Sequence, residues 1–168
     1  MSCLCAARLL VALGMTLPLL VSAADPPRDH ADIPSGKSIE RGRYLVRIAG
    51  CNDCHTAGYA ESSGKVPEKQ WLTGSDVGWR GPWGTTYPAN LRLRMAEIDE
   101  AKWIEIGHTM QFRPPMPWFA LRDMHTDDLR AIYRFIRHLG PAGKPAPAFV
   151  PPGQTPSGPY IQFPGEAK

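Results

Sequence analysis

The sequence predicts a small all-α domain of three to five helices, with a long loop region in its middle and an irregular, Pro-rich C-terminal tail. Apolar residues recur with helical spacing in three separate segments. Between them, residues 56–93 are rich in Gly, Pro, Ser and Thr and show no sustained period of two or 3.6. Eight prolines fall between positions 141 and 164. A single domain with irregular extensions follows from these features.

The N-terminus has the features of a signal peptide. Arg8 precedes an apolar run from Leu9 to Val21, and the small residues Ser22, Ala23 and Ala24 follow it. The run is shorter than the roughly 20 apolar residues of a membrane span. We therefore expect cleavage after Ala24 and export to the periplasm, with an uncleaved membrane anchor as the alternative.

The chain is predicted to have four parts: a signal peptide (1–24), an irregular lead-in (25–37), a folded domain (38–140) and the Pro-rich tail (141–168). The signal peptide contains Arg8 but no acidic residue, so its removal lowers the formal net charge from +3 to +2. Such a small charge does not indicate nucleic acid as a partner. We expect the tail to follow the surface in extended form, held by Phe149, Tyr160 and Phe163, or to be partly disordered.

The three helical segments are 38–50, 96–110 and 126–140. The first is expected to bury Tyr44, Leu45 and Ile48, which recur at spacings of three and four. The last is expected to start at a capping Thr126 and to bury one apolar stripe. That stripe consists of Leu129, Ile132, Tyr133, Ile136 and Leu139. Three helices around a long loop provide too little apolar bulk to fill a core unaided.

Cys51-Asn52-Asp53-Cys54-His55 is the CxxCH pattern of c-type haem attachment. Two thiols three positions apart, near a helix end, can each add to a vinyl group on one edge of a porphyrin. His55 can then give a neutral imidazole nitrogen to the iron, while its other nitrogen donates to a backbone carbonyl. We predict one covalently bound haem c, attached at Cys51 and Cys54, with His55 as an axial ligand of the iron.

Three other interpretations of the pattern compete with haem. A structural zinc site needs two more ligands, and the remaining histidines are scattered along a chain with no second cysteine pair after residue 54. A dithiol redox site usually accompanies alternating strands and helices. A plain disulfide, expected in an oxidising compartment, leaves His55 unexplained.

Four methionines after the signal peptide are candidates for the second axial ligand: Met95, Met110, Met116 and Met124. Met95 and Met110 flank a helical segment and are expected to pack there, and Met124 precedes the last helix as a hydrophobic staple would. Met116 differs because it lies between Pro115 and Pro117. A rigid, non-helical backbone can present its thioether at little entropic cost. We predict that Met116 is the second iron ligand.

Together these residues resemble the class I cytochrome c family: a helix leading into CNDCH, a loop-rich middle, a proline-flanked methionine, and a last helix of the form TDDLRAIYRFIRHL. In that family the first and last helices cross with a small residue against an aromatic one, and Gly42 and Tyr133 resemble those positions. Asn90 resembles a family asparagine near the haem, although a turn residue would look the same.

The segment WGTTYPANL at 83–91, followed by Trp103 and the PPMPW of 114–118, narrows this resemblance. It is similar to the cytochromes that serve periplasmic alcohol, aldehyde and related dehydrogenases. Those subunits often carry three CxxCH motifs, whereas this chain has one. The resemblance covers roughly 38–139 and does not include the tail.

The predicted function is therefore electron transfer and not catalysis. With both axial positions filled, a single haem would carry one electron at a time from a periplasmic or membrane-associated dehydrogenase to a downstream cytochrome or terminal oxidase. Trp118 and Phe119 are candidates for the surface at which partners meet the haem edge. The alternatives are a haem enzyme or a gas or redox sensor with an open iron face, and a structural subunit whose haem only stabilises the fold.

Overall fold

The structure is a computed structural model that describes residues 35–165. In chain order the helices and strands are α1 (Ser35–Ile48), α2 (Cys51–His55), β1 (Gly78–Gly81), β2 (Gly84–Thr86), α3 (Leu91–Glu97), α4 (Glu100–Thr109), α5 (Trp118–Arg122), α6 (Thr126–Leu139) and β3 (Tyr160–Gln162). The predicted signal peptide and residues 25–34 of the predicted lead-in lie outside the described residues. The last three lead-in residues form the first turn of α1. No helix within 35–165 is long and apolar enough to cross a membrane.

The first and last long helices, α1 and α6, cross at Gly42. A Cβ atom on Gly42 would overlap the carbonyl oxygen of Ala131 and lie 2.7 Å from the Cβ of Phe135. The aromatic residue at this crossing is thus Phe135, and the expectation that it would be Tyr133 is wrong. Residues 131 and 135 are one turn apart and share a helix face, whereas Tyr133 lies between them on another face. Its hydroxyl donates to the carbonyl of Ile98 at 2.9 Å.

The buried face of α1 also differs from the predicted one. Leu45 is buried as expected, but Tyr44 and Ile48 are 51% and 61% exposed. The helix instead turns Ser38, Gly42, Leu45 and Val46 inward. Small residues at two of these positions let the two helix backbones approach closely, which the larger side chains of Tyr44 and Ile48 would prevent.

The core lies between α6 and the helices packed on it. Of the stripe predicted on α6, Leu129, Ile132 and Ile136 are buried, while Tyr133 and Leu139 are half-buried. Trp103 of α4 joins this core, and its indole nitrogen donates to the carbonyl of Leu129 at 2.8 Å. The N-cap position of α6 is His125, with no side-chain capping bond there, so the predicted cap at Thr126 is wrong by one position.

The domain is mostly helical, as predicted, but all-α is wrong because β1 is the central strand of a small sheet. It pairs antiparallel with β2 and parallel with β3 of the tail. Strands of three or four residues are too short to show a period of two in the sequence, and β3 pairs with a strand about 80 residues earlier. Six α-helices within the described residues also exceed the predicted three to five. The predicted helix 96–110 corresponds to α4 and the last two residues of α3, which are separated by residues 98 and 99. The rest of α3 begins inside the predicted loop region 56–93, and α5 was not predicted.

Within the described residues, the Pro-rich tail follows the surface, as expected, by contacts at its three aromatic residues. Phe163 packs on Trp79 and Trp83 with ring centroids 5.6 and 5.4 Å apart. Tyr160 lies under the guanidinium of Arg80, and Phe149 lies under that of Arg113. The tail is more regular than predicted, because it contributes β3 and an isolated bridge at Val150 to the sheet.

Candidate functional site

One cavity of about 360 Å³ brings the predicted site residues together. Cys51, Cys54, His55 and Met116 all line it. The remaining walls are mainly apolar and come from the start of α3 and from α4, α5 and α6, with Trp103, Leu121, Ile132 and Ile136 among them. This volume lies within the range of about 300–1,000 Å³ that is usual for small-molecule and cofactor sites.

A tight turn after α1 sets the position of the two cysteines. Gly50 has a φ of 72°, the left-handed conformation that glycine adopts without strain, and α2 begins at the next residue. The buried Thr56 holds the end of α2: its hydroxyl donates to the Asn52 side-chain oxygen at 2.7 Å and accepts from the Leu72 backbone nitrogen at 2.7 Å. The short helix is therefore fixed at both ends although it has only five residues.

The His55 imidazole is oriented by one backbone hydrogen bond. Its Nδ1 lies 2.7 Å from the carbonyl oxygen of Ala89. A carbonyl oxygen only accepts, so Nδ1 carries the proton and the lone pair of Nε2 is free. Burial lowers the pKa of His55, and the bond to Ala89 partly opposes this effect. A neutral imidazole with a free Nε2 is the form that a metal ligand requires.

The environment of the two thiols differs from that of a redox-active cysteine pair. Burial raises the pKa of Cys51 to about 11, and burial also raises the pKa of Cys54. Dithiol oxidoreductases instead lower a cysteine pKa to stabilise the attacking thiolate. Within 35–165 there is also no group of three or more His, Cys, Asp or Glu side chains arranged to hold a metal ion. These observations favour neither the dithiol nor the zinc interpretation.

Three of the four candidate methionines line the cavity, namely Met110, Met116 and Met124, whereas Met95 is fully buried in the core away from it. Met116 lies in the irregular segment between α4 and α5, as predicted. The hydroxyl of Thr86, at the end of β2, donates to the carbonyl of Pro114 at 2.6 Å. This bond attaches the methionine segment to the sheet, two residues before Met116.

The structure also shows site features that the sequence did not predict. Arg94 and Arg113 line the cavity, as do Trp79, Thr86 and Tyr87 of the sheet region. Thr86 and Tyr87 belong to the 83–91 segment that narrows the family resemblance, but the sequence assigned none of these five residues to the site. Their position at the cavity depends on how the sheet packs against the helices.

Three residues singled out in the sequence do not line the cavity. Asn90 caps α3 by accepting from the Leu93 nitrogen, and its amide group donates to the tail carbonyls of Ala142 and Lys144. Trp118 is half-buried against Phe119 and the Arg122 guanidinium. Phe119 is 53% exposed, so it is available at the surface next to the methionine segment.

The donor set fits the predicted haem. An apolar, partly enclosed space lined by two thiols, a neutral imidazole and thioethers offers attachment and axial coordination in one place. Cys51 and Cys54 are not joined by a disulfide, so both thiols are available. The residues present therefore fit haem c in their chemistry: Cys51 and Cys54 for attachment, and His55 with a methionine for the iron.

Comparison with known proteins finds distant relatives. The chain is 28% identical over 120 residues to the alcohol dehydrogenase (quinone) cytochrome c subunits of Gluconacetobacter polyoxogenes and Komagataeibacter europaeus. In each case the match covers 64% of this chain and 23% of the relative, so the chain spans about a quarter of the length of these relatives. No protein-family model and no solved structure matches the chain. The similarity supports a distant, cytochrome c-like relation.

Proposed function

We propose that this chain is a periplasmic single-haem electron carrier, with haem c attached at Cys51 and Cys54 and its iron held by His55 and Met116. The observation that carries the proposal is the meeting of all four residues at one mainly apolar cavity. Met110 and Met124 line it too, but only Met116 has prolines on both sides and a hydrogen bond from Thr86 to its segment. A constrained backbone lowers the entropic cost of holding a ligand in place.

When bound, haem c supplies an iron that gains and loses one electron. The thioether of Met116 is a soft ligand that favours the ferrous state, which raises the reduction potential relative to two nitrogen ligands. His55, held by Ala89, keeps Nε2 directed as a neutral donor. The apolar side chains of α4, α5 and α6 exclude water from the site, and two protein ligands leave no coordination position for a substrate.

The proposed electron donor is a dehydrogenase of the periplasm or its membrane. This step rests on the similar proteins, which are named as cytochrome c subunits of quinone alcohol dehydrogenases. The acceptor would be a cytochrome or a terminal oxidase. Phe119, exposed beside the methionine segment, is the proposed apolar contact for these partners. Encounters between redox proteins are typically small, burying less than about 1,200 Å².

The test of covalent haem attachment is haem-peroxidase staining of a denaturing gel. We expect the wild-type protein, produced in a host that matures c-type cytochromes, to keep its stain after denaturation. The double variant Cys51→Ala/Cys54→Ala should lose the stain, because cleavage of the signal peptide is expected to remove the two remaining cysteines, Cys3 and Cys5. The matched control Cys3→Ala/Cys5→Ala should stain like the wild type. Extraction of the wild-type haem by acidified acetone would disprove the proposed attachment.

A further inference from the structure

The C-terminal tail crosses the sheet beside the methionine segment. The Thr85 nitrogen donates to the Val150 carbonyl at 2.7 Å, and the Val150 nitrogen donates to the Thr85 carbonyl at 3.0 Å. The approach is so close that a Cβ atom on Gly84 would overlap the Val150 carbonyl oxygen and lie 3.0 Å from the Phe149 ring. Gly84 also has a φ of 100°, which favours glycine. The tail therefore packs closely against β2.

The same part of the tail contacts the methionine segment directly. The guanidinium carbon of Arg113 lies 4.0 Å from the centroid of the Phe149 ring, well within the range of about 6 Å for a cation–π contact. The next residue, Pro114, accepts a hydrogen bond from Thr86, and Thr86 follows the residue that bridges to Val150. The tail, β2 and the methionine segment thus form a closed ring of contacts. Val150 bridges to Thr85, Thr86 bonds to Pro114, and Arg113 contacts Phe149.

We propose that Phe149 is a positioning residue for Met116, so that the tail holds the thioether at the iron. This inference rests on the proposed function, in which Met116 is the axial ligand. The segment between α4 and α5 has no regular structure. Contacts from the tail and from β2 reduce the number of conformations that this segment can adopt when the thioether leaves the iron. Phe149 contacts this segment at Arg113 and Thr86 bonds to it at Pro114. These two residues lie three and two positions before Met116.

Phe149 is the best position for a test because it does not line the cavity, whereas Arg113 and Thr86 do. A change at either of those residues would alter the surroundings of the cofactor itself. The contacts that link Phe149 to this part of the fold are those with Arg113 and Gly84, so a change at Phe149 acts on the methionine segment through them. The effect of the tail on ligation can therefore be separated from direct effects on the haem pocket.

The experiment measures carbon monoxide affinity of the reduced holoprotein and the weak far-red ferric band of iron–thioether ligation, for the wild type and Phe149→Ala. Carbon monoxide competes with the thioether for the iron, so its affinity reports how firmly Met116 is held. We expect an increase of about tenfold in affinity, equivalent to about 1.4 kcal/mol, with a weaker far-red band. Phe149→Tyr keeps an aromatic face for Arg113 and should restore both signals.

Tyr160→Ala is the matched control, because it removes another aromatic ring of the tail from its arginine, Arg80 of β1, and neither residue belongs to the ring of contacts. Its carbon monoxide affinity should equal that of the wild type. Phe149→Leu, which keeps apolar bulk over Gly84, should give an intermediate affinity and serves if Phe149→Ala does not fold. A wild-type protein with the far-red band, together with unchanged affinity in Phe149→Ala and Phe149→Leu, would overturn the positioning role alone. A wild-type protein without that band would overturn Met116 ligation and the inference together.

Discussion

At the scale of single residues, the two proposed iron ligands, His55 and Met116, are held in place in different ways. His55 is held through its own side chain, by the bond from Nδ1 to Ala89. Met116 has no such bond, since a thioether is only a weak acceptor, and depends on how its backbone is held. The CxxCH spacing predicts His55 as a ligand directly. The methionine ligand has to be chosen among three methionines that line the cavity.

Replacing Met116 tests that choice. Met116→Ala should open the iron to carbon monoxide and lower the reduction potential, within the roughly 0.8 V that axial ligands span. The measurements are carbon monoxide binding and a redox titration of the holoprotein.

Met124→Leu and Met110→Leu are the matched controls, because each removes a cavity-lining thioether while keeping similar apolar volume. Both should keep the wild-type potential and resist carbon monoxide. If Met124→Leu, and not Met116→Ala, abolishes the far-red band, the argument from the flanking prolines is wrong.

At the scale of helices and strands, the crossing of α1 and α6 matters most for the site. α1 leads directly into the Gly50 turn and the cysteines of α2, while α6 supplies Ile132 and Ile136 to the lining of the same cavity. A bidentate ion pair between Arg41 and Asp128, at 2.9 and 3.2 Å, links the same two helices at the surface. Exposed pairs of this kind contribute only about 0–1 kcal/mol, so the close packing at Gly42 is the stronger restraint.

Gly42→Ala should therefore destabilise the protein. The new methyl group would overlap the Ala131 carbonyl, which belongs to helix backbone and cannot turn aside. Overpacking of this kind typically costs about 1–3 kcal/mol of unfolding free energy. The measurement is urea unfolding of the holoprotein, followed by circular dichroism.

Gly36→Ala is the control in the same helix, because nothing lies within 4 Å of a Cβ atom at Gly36. It should be neutral or stabilising by up to about 1 kcal/mol, since alanine favours helix over glycine. Equal stabilities for the two variants would show that the helices can move apart at Gly42 without cost.

At the scale of the whole molecule, the net charge is small. The formal net charge is +3, or +2 without the predicted signal peptide. Much of the charge on α4 and α6 is also paired locally, as where Glu100 accepts from Arg130 and Arg134 at 2.9 Å each. Long-range attraction of a partner should be weak, so apolar contact near the cavity should dominate recognition.

Stopped-flow reduction by a partner dehydrogenase across a salt series tests this view. The second-order rate constant should vary within about threefold, because little net charge is available to be screened. Phe119→Ala should lower it about fivefold, the effect of a contact worth about 1 kcal/mol.

Ile161→Ala is the control, because Ile161 is a comparably exposed apolar residue on β3, outside the cavity. It should react like the wild type. A steep salt dependence with no effect of Phe119→Ala would show that charged groups guide the encounter instead. Failure of every dehydrogenase tested to reduce the protein, together with peroxide turnover, would favour the alternative of a haem enzyme.

The sequence by itself determined the features that depend on neighbours in the chain. The CxxCH spacing, the apolar stripe of α6 and the rigid proline segment around Met116 are all local, and each could be recognised in a few residues. On this basis an all-α domain and the four candidate site residues were predicted. The domain is mostly helical with a small sheet, and the structure places those four residues at one cavity.

The tertiary structure alone decided which face of α1 is buried, where the tail lies and how the sheet forms. Tyr44 and Ile48 have helical spacing, yet the close approach to Ala131 selects the face with Ser38 and Gly42. Likewise β3 pairs with β1, and Phe149 meets Arg113, across long separations in the chain. Such contacts depend on the fit of distant surfaces, which is fixed only when the helices pack, and no local pattern records it.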